Sequence, residues 1–257
     1  VDTPTDRILR IKGSKLRLDT GRESEPFVTI YDLGAGAEIV WDSKHKHGEI
    51  HDLLKQSAAA RHQVPTNRIR ISIQPTGNHK ILLDRKCGEY AFDLGARATW
   101  QGSTSYEQLI GTMCISEGSP ESKEVDDFVE LARKQGIVFG VQDVNSPDAR
   151  LRTELYFYQG VVRGLVLARS ERTELAGGNG SSSPLQWTLE VESIDTQPIP
   201  DELFVIPTDW KAKKGGSTPG RFPIRWNFGL KDHVYILAVD EKSDCPAVSL
   251  RVYRAPP

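Results

Sequence analysis

The stretch Arg68-Ile69-Arg70-Ile71-Ser72-Ile73-Gln74 decides the fold class. Its three isoleucines alternate with two arginines and a serine, a period of two that sets one face of a strand against a core and the other against water. The same alternation returns in residues 185–192, where Leu185, Trp187, Leu189 and Val191 oppose Gln186, Thr188, Glu190 and Glu192. It returns again near the end, with Val248, Leu250 and Val252 opposed by Ser249, Arg251 and Tyr253. Half-buried strands of this kind build antiparallel sheets. The turn residues between them predict hairpins: Gly13-Ser14, Gly34-Ala35-Gly36, and Thr76-Gly77-Asn78 before the run Lys80–Asp84.

Two segments carry helical spacing instead. Residues 49–62 place Ile50, Leu53, Leu54 and Ala58 on one stripe. Residues 123–135 do so with Val125, Phe128, Val129 and Ala132, closed by Gly136 and capped at the start by Ser119 or Ser122. With 22 Gly, 15 Pro and a single Met among 257 residues, the composition suits many short strands better than a helical bundle. The expected class is α+β, mainly β. The run Ala176–Pro184 reads as a surface loop between two strands. The basic, Gly-rich stretch 211–223 divides a main body, 1–213, from an extension, 214–257, with two further strand patterns.

Charge narrows the function classes. Lys+Arg 33 against Asp+Glu 35 gives no field of one sign, which excludes a dedicated nucleic-acid binder. No run approaches the roughly 18 apolar residues of a membrane span, and the opening VDTPTDRIL is not a signal peptide, so a soluble chain is expected. Neither a phosphate-binding glycine loop nor a nucleophile elbow is present, and Asp93, Glu107, Asp126, Asp127 and Glu130 read as scattered surface charges. The expectation is a protein without enzymatic activity and without a cofactor.

One cluster runs against that expectation. His45, His47 and His51 fall within seven residues, and alternate strand positions would let His45 and His47 share a metal with His51 from the first turn of the following helix. Asp52 and Glu49 would serve the positive end of that helix. The alternative is a solvated strand-to-helix connection. The three cysteines allow one bridge: Cys87 lies opposite Tyr90, Phe92 and Leu94, and Cys114 opposite Met113 and Ile115. If these strands pair around a wide turn near Gly102, the two thiols share a face and a bridge is geometrically possible; two free thiols are the alternative.

Several segments resemble a bacterial family of secreted or envelope proteins, domain of unknown function 4412, similar in pattern to the periplasmic lipoprotein-carrier fold. The likeness runs through Lys12, Gly13, Lys15, Arg17 and Asp19, through residues 29–47, and through Thr76, Gly77, Lys80, Ile81, Cys87 and Tyr90. It closes on Pro200, Asp201, Leu203, Phe204 and Pro207, with Trp210 in place of the usual Tyr. Asp84-Arg85 and Cys114 depart from the pattern, and the tail from Gly215 lies outside it. The resemblance implies a strongly curved antiparallel sheet, a half-barrel, with two helices on its concave face. It further implies a periplasmic or secreted protein that binds a lipid, acyl chain or other apolar ligand, or an envelope protein, in the cleft between them. Export would keep a Cys87–Cys114 disulfide oxidised and leave Cys245 free. A metal-dependent enzyme at His45, His47 and His51, and a structural module of the envelope, are the other readings.

Overall fold

The computed structural model describes residues 8–20, 27–100, 103–141, 148–155, 163–177, 185–195 and 197–214. They form an α+β, mainly β architecture of two open sheets and three helices. The first sheet runs β1 (Ile8–Lys12), β2 (Lys15–Thr20), β3 (Phe27–Asp32), β4 (Ala37–Asp42), β5 (His47–Asp52) and β11 (Lys211–Lys214) side by side. Its first five strands are an antiparallel meander, and β11 joins β5 in parallel. The second sheet is antiparallel, in the order β10 (Leu185–Glu190), β9 (Leu165–Gly177), β8 (Ser103–Ser116), β7 (Arg85–Trp100) and β6 (Ile69–Leu82). Helix α1 spans Leu53–Gln63, α2 Pro120–Gln135 and α3 Asp148–Thr153.

Both expected helices form, with different starts. Residues 49–52 belong to β5, and α1 begins after Asp52, whose side chain accepts from the Lys55 amide and caps the helix. Ile50 faces away from His51 as strand geometry requires, so the helical spacing of Ile50 with Leu53 and Leu54 was coincidental. Helix α2 is capped by Ser119 and closed by Gly136 in a left-handed conformation, φ 65°, that only glycine adopts without strain. The Thr76-Gly77-Asn78 turn is corrected: β6 runs on through it, with a register shift between Pro75 and His79, and the chain reverses at Leu83 and Asp84. A second irregularity falls between Cys114 and Ile115 in β8. Bulges of this kind bend the strands that carry them and raise their twist.

The main core is shared by both sheets. Leu9, Ile11, Leu16, Leu18 and Tyr31 from one face of the first sheet meet Leu53 of α1, Phe128 and Ala132 of α2, and Leu165, Leu167 and Leu189 of the second sheet. Cys87 and Cys114 belong to this core and are joined in a disulfide, their Cα atoms 5.4 Å apart. The opposite face of the first sheet is covered by the segment after β10: Ile199 and Phe204 lie on Val28, Ile30 and Trp41. Trp210 stands edge-on to Trp41 with ring centroids 5.3 Å apart. Gly48 is where that Trp41 ring crosses β5, and a Cβ there would run into it. The extension from residue 215, with its two strand patterns and Cys245, and the loop 178–184 lie outside the described residues.

Candidate functional site

The inner face of the second sheet changes character from edge to edge. Three cross-strand rows run Ile69–Ala96–Glu107, Ile71–Leu94–Leu109–Thr173 and Ile73–Phe92–Gly111–Glu171. On β7 and β8 the apolar members are roofed by Val64, by Leu151 of α3 and by Leu155, so Phe92, Leu94, Leu109 and Met113 are all but sealed from solvent. On the edge strand β6 the roof stops. Ile69 and Ile73 are only partly covered and Ile71 is 38 % exposed. A continuous apolar strip therefore runs from solvent into the core beneath α3.

At its far end the strip meets charge. Arg152 of α3 donates to Glu171 at 2.9 Å and lies 4.0 Å from Glu107, while the Arg169 Nε is 3.6 Å from the other Glu171 oxygen. Thr173 completes the group, and every one of these side chains is buried. Burying a lone charge would cost several kcal/mol, so the two guanidinium groups and two carboxylates are held as a mutually compensating set. This corrects the reading of Glu107 as a surface charge: it is 1 % exposed. Asp93 does sit at the surface, bound by Arg70 and Gln108, and Glu130 pairs with Arg133 there.

The histidine cluster is rearranged. His47 opens β5 opposite Asp42, the last residue of β4, and His45 lies in the four-residue turn between them. Asp42 uses Oδ1 to accept the amides of Lys44 and His45, and its Oδ2 is in close contact with His45 Nδ1. One potential ligand atom from each of Asp42, His45 and His47 lies within 4.8 Å of the others. His51 is not in the group. It sits on β5 rather than in a helix, four residues from His47, or roughly 13 Å along the strand, so it cannot share an ion with it. Glu49, also on β5 and not in a helix, approaches His51 at 3.3 Å.

A third polar locus lies beside that pair. Glu38 of β4 is directly across from His51, and burial pushes its carboxyl up to about 7 even though the Tyr31 hydroxyl hydrogen-bonds it. The Nδ1 of His51 and the hydroxyl of Thr29 are buried without a hydrogen-bond partner among the described residues. These three strands thus bury polar groups on the same face whose β1 and β2 positions are aliphatic. The sequence signal was available in β4, where Glu38, Val40 and Asp42 share one parity, but polarity alone argues for solvent.

Set against protein-family models, curated proteins and solved structures, the chain matches none of them. Among the described residues no helix is long and apolar enough to cross a membrane.

Proposed function

We propose that the protein is a non-catalytic envelope protein, periplasmic or secreted, that takes an acyl chain or other apolar ligand against the inner face of its second sheet. The observation that carries this reading is the half-open strip Ile69, Ile71, Ile73, continuous with Phe92 and Leu94 and left uncovered at the edge strand. Sites for apolar ligands are concave, largely aliphatic and aromatic, with few polar groups placed to orient the guest. The charges at the end of the strip cancel one another, which suits a neutral chain better than an anionic head group.

Pairing of another strand along β6 is the competing use of this edge, and β6 is built against it. Arg70 and Lys80 place charge there, Pro75 lacks an amide to donate, and the shift between Pro75 and His79 breaks the ladder. Native mass spectrometry of protein from an oxidising compartment should show a co-purifying lipid mass, and a fluorescent fatty acid should bind saturably. Ile71→Asp should weaken that binding roughly tenfold to a hundredfold, the equivalent of about 1.5–3 kcal/mol for one buried aliphatic side chain, with little change in stability. A clean apo mass together with no saturable uptake of the probe would remove the apolar-ligand reading.

A further inference from the structure

From the geometry of the β4–β5 hairpin we infer that Asp42, His45 and His47 form a binding site for a first-row transition-metal ion, independent of the apolar strip. Asp42 and His47 are a directly opposed cross-strand pair, which brings their Cβ atoms to about 5 Å on one face of the sheet. The turn then returns His45 over them: its ring centroid is 6.0 Å from that of His47, and its Nδ1 meets Asp42 Oδ2.

In a tetrahedral site with metal–ligand bonds of about 2.0–2.1 Å, ligand atoms stand about 3.3 Å apart. A set already within 4.8 Å reaches that spacing by small side-chain rotations, and the exposed His45 is free to make them. The backbone need not follow. Lys46 holds the turn at φ 51°, its carbonyl accepts from the Lys211 amide, and its ammonium is engaged by Asp209 at 2.8 Å. With Asp42 Oδ1 committed to two backbone amides, Oδ2 is the oxygen left to face an ion.

Two imidazoles and one carboxylate select borderline ions such as Zn²⁺, Co²⁺, Ni²⁺ or Cu²⁺ over Ca²⁺ or Mg²⁺, which want oxygen. Three protein ligands on an open turn leave a coordination position for water or for a donor from another molecule.

The test uses tag-free, chelator-treated full-length protein titrated with Co²⁺, read by its visible d–d absorption, and with Zn²⁺, read by calorimetry. One ion should bind per chain, and His45→Ala, His47→Ala and Asp42→Asn should each weaken binding at least tenfold. His51→Ala should leave it unchanged, because His51 is out of reach. Since Asp42 also organises the turn, the exposed His45→Ala variant with an unaltered melting curve is the decisive one. Absence of a saturable 1:1 phase in the wild type overturns the inference, as does wild-type affinity in His45→Ala and His47→Ala, or loss of binding in His51→Ala alone.

Discussion

The two sheets solve the same burial problem in opposite ways. In the first, strands of four to six residues are joined mostly by tight turns, and both faces are covered: one by the shared core, the other by residues 199–210. In the second, β6 to β9 run 13 to 16 residues, the inner face carries buried charge toward β9, and the β6 edge stays open. Short strands with both faces covered leave no apolar face for a guest to contact. Long strands whose roof ends before the sheet does leave an apolar surface that the described residues do not fill. On the proposed reading the first sheet is the frame and the second the working surface, and that contrast is open to attack by substitution.

The largest effect is expected in the frame. Phe204 is 4 % exposed and packs with Ile199 on Val28, Ile30 and Trp41, held by a 3₁₀ turn over Asp201–Phe204. Arg17 and Lys12 fasten the same segment by donating to the carbonyls of Leu203 and Ile199. Phe204→Ala should destabilise the protein by about 4 kcal/mol, the usual cost of emptying a buried aromatic site, measured by urea unfolding. A loss below about 1 kcal/mol would mean the covering segment is dispensable and the first sheet has an open face after all.

Next comes the charged end of the working surface. Glu171→Gln would leave Arg152 and Arg169 facing Glu107 as the remaining carboxylate of the group, and should cost about 3 kcal/mol. Replacing Arg152 and Glu171 together by apolar residues of similar volume should recover part of that loss, because one guanidinium, Arg169, and one carboxylate, Glu107, then remain and the group is again of zero net charge. If the single and double variants are equally unstable, packing rather than charge compensation holds this end together.

Legibility followed the same division. Isoleucine parity in β6 and the capping pair Ser119 and Gly136 were readable because each depends on local spacing alone. Strand parity likewise put Cys87 and Cys114 on one face, where the structure joins them. What escaped depended on partners distant in sequence. Glu107 and Glu171 are ordinary polar strand residues until Arg152 arrives from α3, and nothing in the spacing of either announces it. His51 was misplaced because strand and helix periods coincide over Ile50 to Leu54, and only the cap at Asp52 separates them. Thr76-Gly77-Asn78 reads as a turn by composition, yet the reversal falls on Leu83 and Asp84, both with positive φ, residue types that do not advertise it.

The smallest of the expected stability effects lies inside the frame and is a function of pH. Glu38 is buried, faces His51 across the β4–β5 pair and is hydrogen-bonded by Tyr31 of β3, with its carboxyl raised from 4.5 to about 7 by burial. Folding therefore favours the neutral form. The contribution is complete below the unfolded-state value near 4.5 and is lost as pH rises through about 7. Integrated across that window, the difference amounts to roughly 2–3 kcal/mol. Glu38→Gln keeps the shape and the neutral charge at every pH, so it should remove this dependence while changing little near pH 5. Urea unfolding of wild type and variant at a series of pH values separates the Glu38 contribution from that of other titrating groups, which both proteins share. A stability gap that opens in favour of the variant above about pH 5 is the expected outcome. Parallel pH profiles would mean that Glu38 is ionised in the folded protein as it is in the unfolded chain, and that burial does not hold it as a neutral acid.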